Sequence, residues 1–221
     1  MTDKEILIFV EGSSDKVFLE VYLYFLEYFP IKNFKVKDVT GKDNLSKRLL
    51  EIEKYAKTLI IFDADKDYES NKKEILSKTQ QKITEEQIFL FPNNQDDGDL
   101  ETLLLEMAKH DEFLKCFEGY LECIKSKEHY KPIRNIRKNM LYAYLEVFEL
   151  QKFFQYKWDT NNKKNEENII IDDKGKIKEE HQEEYEKLKE VIDFKSKSLI
   201  PLKNFLEKST ENNQKTKLKI F

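Results

Sequence analysis

Short apolar runs alternate with helical periodicities through the first hundred residues of the chain. Residues 5–10 (EILIFV) form a nearly unbroken apolar run, the pattern of a strand buried on both faces of a parallel sheet. Gly12-Ser13-Ser14-Asp15 interrupts it with helix-capping side chains. Over 16–28, Val17, Phe18, Val21, Leu23, Tyr24 and Phe25 recur at helical spacing up to Pro30. Residues 34–39 alternate as a strand nearer a sheet edge does. The turn Thr40–Asn44 leads into a helix carrying Leu45, Leu49, Leu50 and Ile52. The cycle repeats with a strand at 58–62, a polar helix at 69–82, a strand at 87–91 and a helix opening near Asp99.

This alternation predicts an α/β fold: a mostly parallel four-stranded sheet flanked by helices, joined by right-handed crossovers. Beyond residue 110 the strand signal fades. Helices are expected at 111–126, 138–155, 179–191 and 198–208, with a small hairpin at Ile169–Gly175. Residues 159–168 are a polar break. The organisation expected is a metal-binding domain over 1–110, a mainly helical extension over 111–208 packed on it, and a flexible tail over 209–221. Trp158, the only tryptophan, reads as a core anchor for the C-terminal helices.

Composition narrows the partners. No apolar run among the 221 residues approaches the ~20 needed to span a bilayer, and acidic residues precede the first apolar run, unlike a signal peptide. A soluble, cytoplasmic protein with no membrane association is expected. Cys116 and Cys123 lie two helical turns apart, ~10 Å, too far for a disulfide within one helix, and read as core or half-buried positions. The net charge of −4 gives no global attraction to nucleic acid, although a local patch and a bound cation can reverse the field at one site. Of 39 basic residues only Arg48, Arg134 and Arg137 are arginine. Lys131, Arg134, Arg137 and Lys138, interleaved with Tyr130 and Tyr142, read either as a solvated helix face or as a phosphate-backbone clamp.

The chemistry rests on where carboxylates fall relative to strand ends. Ligands of open parallel sheets bind outside the carboxyl ends of the strands. Glu11 follows the first strand, and Asp63 and Asp65 follow the third, so the three are expected to converge on one edge. Close carboxylates repel unless a cation neutralises them, and an all-oxygen set favours Mg²⁺ or Mn²⁺ over zinc. Asp67 and Glu101 are further candidate ligands. Glu101 reads equally as an acidic residue favouring the positive end of its helix, Asp99 as an N-cap and Asp15 as a helix-start residue. Lys42 and Lys66, each just past a strand end, are candidates for substrate phosphate contact, as are Arg134 and Arg137. Against all this stands the plainer reading of Glu11 as a solvated turn residue and 63–67 as an exposed acidic loop.

The pattern F-V-E-G-x-x-D-x-x-F-L at 9–19, followed about fifty residues later by an apolar strand ending in Asp63-Ala64-Asp65, resembles the Toprim domain. That domain is shared by topoisomerases, bacterial-type primases, recombination-associated proteins and nucleases of the overcoming-lysogenisation-defect type. The segments G-K-D-N-L (41–45), G-x-L-E-x-L-L (98–104) and L-x-P-L-x-x-F-L (199–206) are similar to those of small prokaryotic Toprim-like proteins. The resemblance implies Mg²⁺-dependent phosphodiester chemistry on DNA or RNA, most simply nuclease cleavage. Glu11 would then be general acid/base or metal ligand, and Asp63 and Asp65 would be metal ligands. The chain has no room for a strand-passage scaffold and lacks the primase accessory modules. It also has no G-x-x-x-x-G-K-[ST] loop, so any ATPase would be a separate partner. Two other readings stay open: a non-catalytic metal- or nucleotide-binding regulatory module, and a haloacid-dehalogenase-type phosphatase. In the latter a Thr normally stands where this chain has Asp67.

Overall fold

The computed structural model describes residues 6–27, 33–154 and 169–217, without the side chains of 211–217. Pro30, Trp158 and the polar break at 159–168 lie outside the described residues. Four strands, β1 (Ile6–Val10), β2 (Phe34–Asp38), β3 (Lys57–Asp63) and β4 (Ile88–Phe91), form one sheet in the order β2-β1-β3-β4. Every pairing is parallel, with Ile6 opposite both Phe34 and Lys57, and Ile61 opposite Phe89. The α/β class and the mostly parallel four-stranded sheet expected from the periodicity are observed, with every pairing parallel.

Alternation within β1, β3 and β4 explains why these three strands read as continuous apolar runs. Ile6, Ile8 and Val10 of β1, Leu59 and Ile61 of β3, and Phe89 and Phe91 of β4 face one core. Leu7 and Phe9, Ile60 and Phe62, and Ile88 and Leu90 face a second core on the other side. Both faces are covered, so no strand position between the ends can be polar without cost.

Eight helices occur among the described residues. They are α1 (Ser13–Phe25), α2 (Leu49–Ile52), α3 (Tyr68–Lys78), α4 (Leu100–Glu106), α5 (Asp111–Lys125), α6 (Ile136–Val147), α7 (Gln182–Val191) and α8 (Ile200–Lys217). The first core takes side chains from α1, α4, α6, α7 and α8, so the helical C-terminal region and the sheet share one apolar cluster. A 3-10 helix, Lys42–Arg48, together with α2 and α3, closes the opposite face.

Several boundaries differ from the periodicity. The helix expected from Leu45 to Ile52 is mostly 3-10, entered through Thr40 and Gly41 at φ 59° and 95°. The polar helix ends at Lys78 rather than 82, because Gln80 and Gln81 turn left-handed. The helix expected to run to 155 ends at Val147, where Glu149 takes φ 61° and the Leu150 N–H returns to the Leu145 carbonyl. The last helix continues to Lys217 instead of stopping at 208, since no Gly or Pro interrupts its polar helix formers.

A buried pin joins the two parts of the chain. The Glu20 carboxylate on α1 accepts the Ile169 and Ile170 N–H groups at 3.1 and 2.7 Å, with Lys16 Nζ 4.0 Å away. The hairpin expected at 169–175 follows, closed by an Ile171–Ile177 bridge around Gly175.

Candidate functional site

Between β1 and β3 the chain direction through the sheet reverses: β1 leads outward to β2, while β3 and β4 lie on its other side. Carboxyl ends splay apart at such a switch point and leave a crevice. Glu11 stands directly after β1, and Asp63 is the last residue of β3. The two therefore occupy neighbouring strand ends at the one place this topology opens.

Asp63 Oδ1 accepts the Leu100 N–H at 2.9 Å, which ties β3 to the first turn of α4. Burial holds the Asp63 carboxyl well above the usual carboxylate range. The negative charges of Asp15, Glu101 and Glu11 add to that, and the Leu100 hydrogen bond opposes it. Glu11 is raised first by burial. Lys42 pulls it back, Asp65 pushes it up, and a hydrogen bond from the Asp63 backbone lowers it. Glu11 Oε2 is buried and has no hydrogen-bond partner. The Lys42 ammonium, 3.9 Å from that oxygen, offsets part of the cost of burying it.

Asp15 was legible only as a helix-start residue, and it does perform that role: its Oδ2 accepts the Gly12 N–H at 2.8 Å. It is also a member of the acidic cluster. Burial pushes its carboxyl up to about 7; the Gly12 hydrogen bond opposes this, while Glu11, Glu101 and Asp38 reinforce it. The signal for this was the four-residue step from Glu11 to Asp15, which turns the first carboxylate of α1 back towards the strand end. Glu101, half-buried in the first turn of α4, stands close enough to raise both Asp15 and Asp63, with Lys138 Nζ 3.9 Å away.

Asp65 is placed differently. Extended backbone would point it the same way as Asp63, but it takes φ 53°, and its N–H is bound by the Gly98 carbonyl at 2.7 Å. Its carboxylate is exposed and pairs with Lys42 Nζ, which also lies 3.9 Å from Glu11 Oε2 and donates to Asn71 Oδ1 at 2.7 Å. The Lys42 ammonium thus sits between the carboxylates of Glu11 and Asp65, and Asn71, on a helix that carried no chemical signal, holds it there. Lys66 is exposed in the same turn. Asp67 is exposed and caps α3 by accepting the Ser70 N–H through Oδ1 at 2.9 Å.

Asp99 caps α4 through the Thr102 N–H at 2.8 Å, as its position predicted. Arg137 Nη1 donates to Thr102 Oγ1 at 2.8 Å, and its Nε lies 3.7 Å from Asp99 Oδ2. The start of α6 therefore leans over the start of α4 beside the acidic cluster. Arg134 is exposed, and its carbonyl accepts from Asn139 Nδ2. Cys116 and Cys123 are both exposed, not core or half-buried, because α5 buries none of its side chains.

The donor set suits a hard divalent cation: it is all oxygen, one buried Glu11 oxygen accepts no hydrogen bond, and burial reinforced by neighbouring negative charge holds the Glu11, Asp15 and Asp63 carboxyls above their normal range. The spacing is looser. Among the described residues no three acidic, histidine or cysteine side chains stand together closely enough to hold an ion, so direct ligation by three of these carboxylates requires side-chain rotation. A groove of about 840 Å³ between β4 and α8 includes none of the acidic cluster. Its Gln87 and Asn94 amides are already engaged with the Thr58 carbonyl and the Leu90 N–H.

Fold and site together define an α/β protein with an acidic cluster at the switch point of a parallel sheet. The chain belongs to the family described as protein of unknown function DUF3226, which matches residues 5–211. No curated protein and no solved structure matches it. No helix among the described residues is long and apolar enough to cross a membrane.

Proposed function

We propose that this chain is a Toprim-type enzyme that carries out Mg²⁺-dependent phosphodiester chemistry on nucleic acid, most simply as a nuclease. The observation that carries the reading is the pair Glu11 and Asp63 at adjacent strand ends of the switch point, with the charges of Asp15 and Glu101 close by and a buried Glu11 oxygen that accepts no hydrogen bond. Bound Mg²⁺, or Mn²⁺, would supply Lewis acidity and an activated water. Glu11, Asp63, Asp65, Asp67 and Glu101 are the residues that would hold it. The raised Glu11 carboxyl suits a proton acceptor at neutral pH. Lys42, Lys66, Arg134 and Arg137 are the cations proposed to meet a DNA or RNA backbone. The setting proposed is cytoplasmic, with any ATPase supplied by a separate protein.

Plasmid, linear and single-stranded substrates incubated with Mg²⁺ or Mn²⁺ test this directly. Wild-type protein is expected to cleave at least one of them, and Asp63→Ala to lose turnover by more than about a hundredfold. Equal residual cleavage by both proteins would remove the proposal.

One observation favours a second reading, a non-catalytic metal- or nucleotide-binding module. Lys42 already neutralises Asp65 and approaches Glu11, so the outer half of the cluster is balanced without an ion. Calorimetry on the wild-type protein separates the two: metal binding without cleavage on any substrate supports the module.

A further inference from the structure

We propose that the segment from Lys125 to Lys138, joining the end of α5 to the first turn of α6, is a track that holds single-stranded nucleic acid and leads it to the acidic cluster. The chemistry at its end is that of the enzymatic reading above, on which this inference rests. Lys125, Lys127, Lys131, Arg134, Arg137 and Lys138 stand within fourteen residues against one acid, Glu128, in a chain whose net charge is −4. All six cations are exposed, and residues 126–135 belong to no helix or strand. The first turn of α6 holds Arg137 and Lys138 and no acidic residue, the wrong sign for the positive end of a helix dipole. Asp99 and Glu101 compensate these two, at 3.7 and 3.9 Å. Among the described residues Lys125, Lys127, Lys131 and Arg134 have no carboxylate partner. Lys72, Lys78 and Lys82, by contrast, are each held by a glutamate. An exposed run of unbalanced cations repels itself and attracts a polyanion.

Two observations choose a nucleic acid, and a single strand of it, over an acidic protein. The first is the aromatic pair set among the cations. Tyr130 is 50% exposed, and its ring meets the exposed His129 ring edge-on at 4.3 Å. An unpaired base can stack on such a ring, whereas a duplex keeps its bases stacked on one another and a carboxylate has no ring face to offer. The second is where the cations lead. Arg137 Nη1 donates to Thr102 Oγ1 at 2.8 Å, and Lys138 stands beside Glu101, whose charge reaches Asp15 and Asp63. The Arg134 carbonyl accepts from Asn139 Nδ2 at 2.9 Å, which fastens the irregular stretch to α6. Seven steps of chain from Tyr130 to Arg137 span at most ~25 Å. A base on Tyr130 and a phosphate at the acidic cluster can therefore belong to one short strand.

Fluorescence anisotropy of the full chain with a labelled single strand of about twelve nucleotides, the matching duplex and a polyglutamate peptide tests this. The titrations are made at low salt in EDTA, where binding is read without metal-dependent cleavage. Deoxy and ribo strands are titrated separately, and binding of either meets the expectation. The single strand should bind about tenfold tighter than the duplex, the worth of one stacked base. Tyr130→Ala should weaken it on the order of tenfold while leaving its salt dependence unchanged. Lys127→Ala and Lys131→Ala should each flatten the slope of log affinity against log salt by about 0.7. Duplex or polyglutamate binding as tightly as the single strand overturns the proposal. So do undiminished binding by Tyr130→Ala and unchanged salt slopes in both lysine variants. Cleavage by a protein that shows no such single-strand binding overturns the track and leaves the enzymatic reading standing. Single-strand binding with these signatures, without cleavage of any substrate, does the reverse.

Discussion

The Leu100 N–H donates to Asp63 Oδ1 across 2.9 Å, joining the last residue of β3 to the first turn of α4. That bond aims Asp63 with one oxygen committed, and it brings Glu101 to the same crevice one residue later. Two substitutions separate these roles. Asp63→Asn keeps an acceptor for Leu100 and should leave the thermal midpoint within a few degrees while metal binding falls. Asp63→Ala leaves the Leu100 N–H unpaired and should cost a further ~1–2 kcal/mol, read by urea denaturation. Equal stability of the two variants would mean the bond does not fix α4.

Asp15 gives a pH dependence whose sign is set by the direction of its shift. Its carboxyl lies at about 7 in the folded chain, above the ~3.9 of a free aspartate, so the folded state holds the proton more tightly. Its stability contribution is fully present below the unfolded value and is lost as pH rises from about 4 through about 7. Asp15→Asn keeps an acceptor for Gly12 and removes the charge. The variant should gain on the order of 1–3 kcal/mol over wild type at pH 8 and nothing at pH 4. Denaturation curves of both proteins at the two pH values decide it.

Lys42 lowers Glu11 and occupies the space between Glu11 and Asp65. A divalent ion arriving there must displace it. Lys42→Met should therefore bind Mn²⁺ about tenfold tighter by calorimetry, while raising the Glu11 carboxyl further. Where Lys42 also contacts substrate phosphate, KM rises in the same variant. Unchanged Mn²⁺ affinity would show that the ammonium and the ion do not compete.

Gly98 couples the two loops of the site. Its carbonyl holds the Asp65 N–H, and a Cβ at this position would lie 2.8 Å from Pro92 Cδ and 3.2 Å from Thr102 Oγ1. Its φ of 153° adds backbone cost for any other residue. Gly98→Ala should destabilise the fold by about 2–4 kcal/mol. It should also loosen Asp65, seen as faster exchange of the Asp65 amide. A wild-type melting curve would contradict this.

What the sequence determined by itself is what local periodicity encodes. The apolar runs around Ile8, Ile60 and Phe89 required strands covered on both faces, and those strands required parallel order. The capping position of Asp99 and the placement of Glu11 and Asp63 beyond strand ends followed from residue type and spacing. Other features came only from the tertiary structure, because they depend on residues distant in sequence. Asp15 joins the acidic cluster because Glu101, brought over by α4, lies beside it. Asp65 parts from Asp63 because the Gly98 carbonyl, thirty-three positions later, captures its N–H and turns the backbone left-handed. Asp67 caps the first turn of α3 through Oδ1. The cysteines are exposed because they lie off the apolar stripe of α5, whose Phe117, Leu121 and Ile124 are themselves only half-buried; no local pattern distinguishes an amphipathic helix that buries its apolar face fully from one that does not.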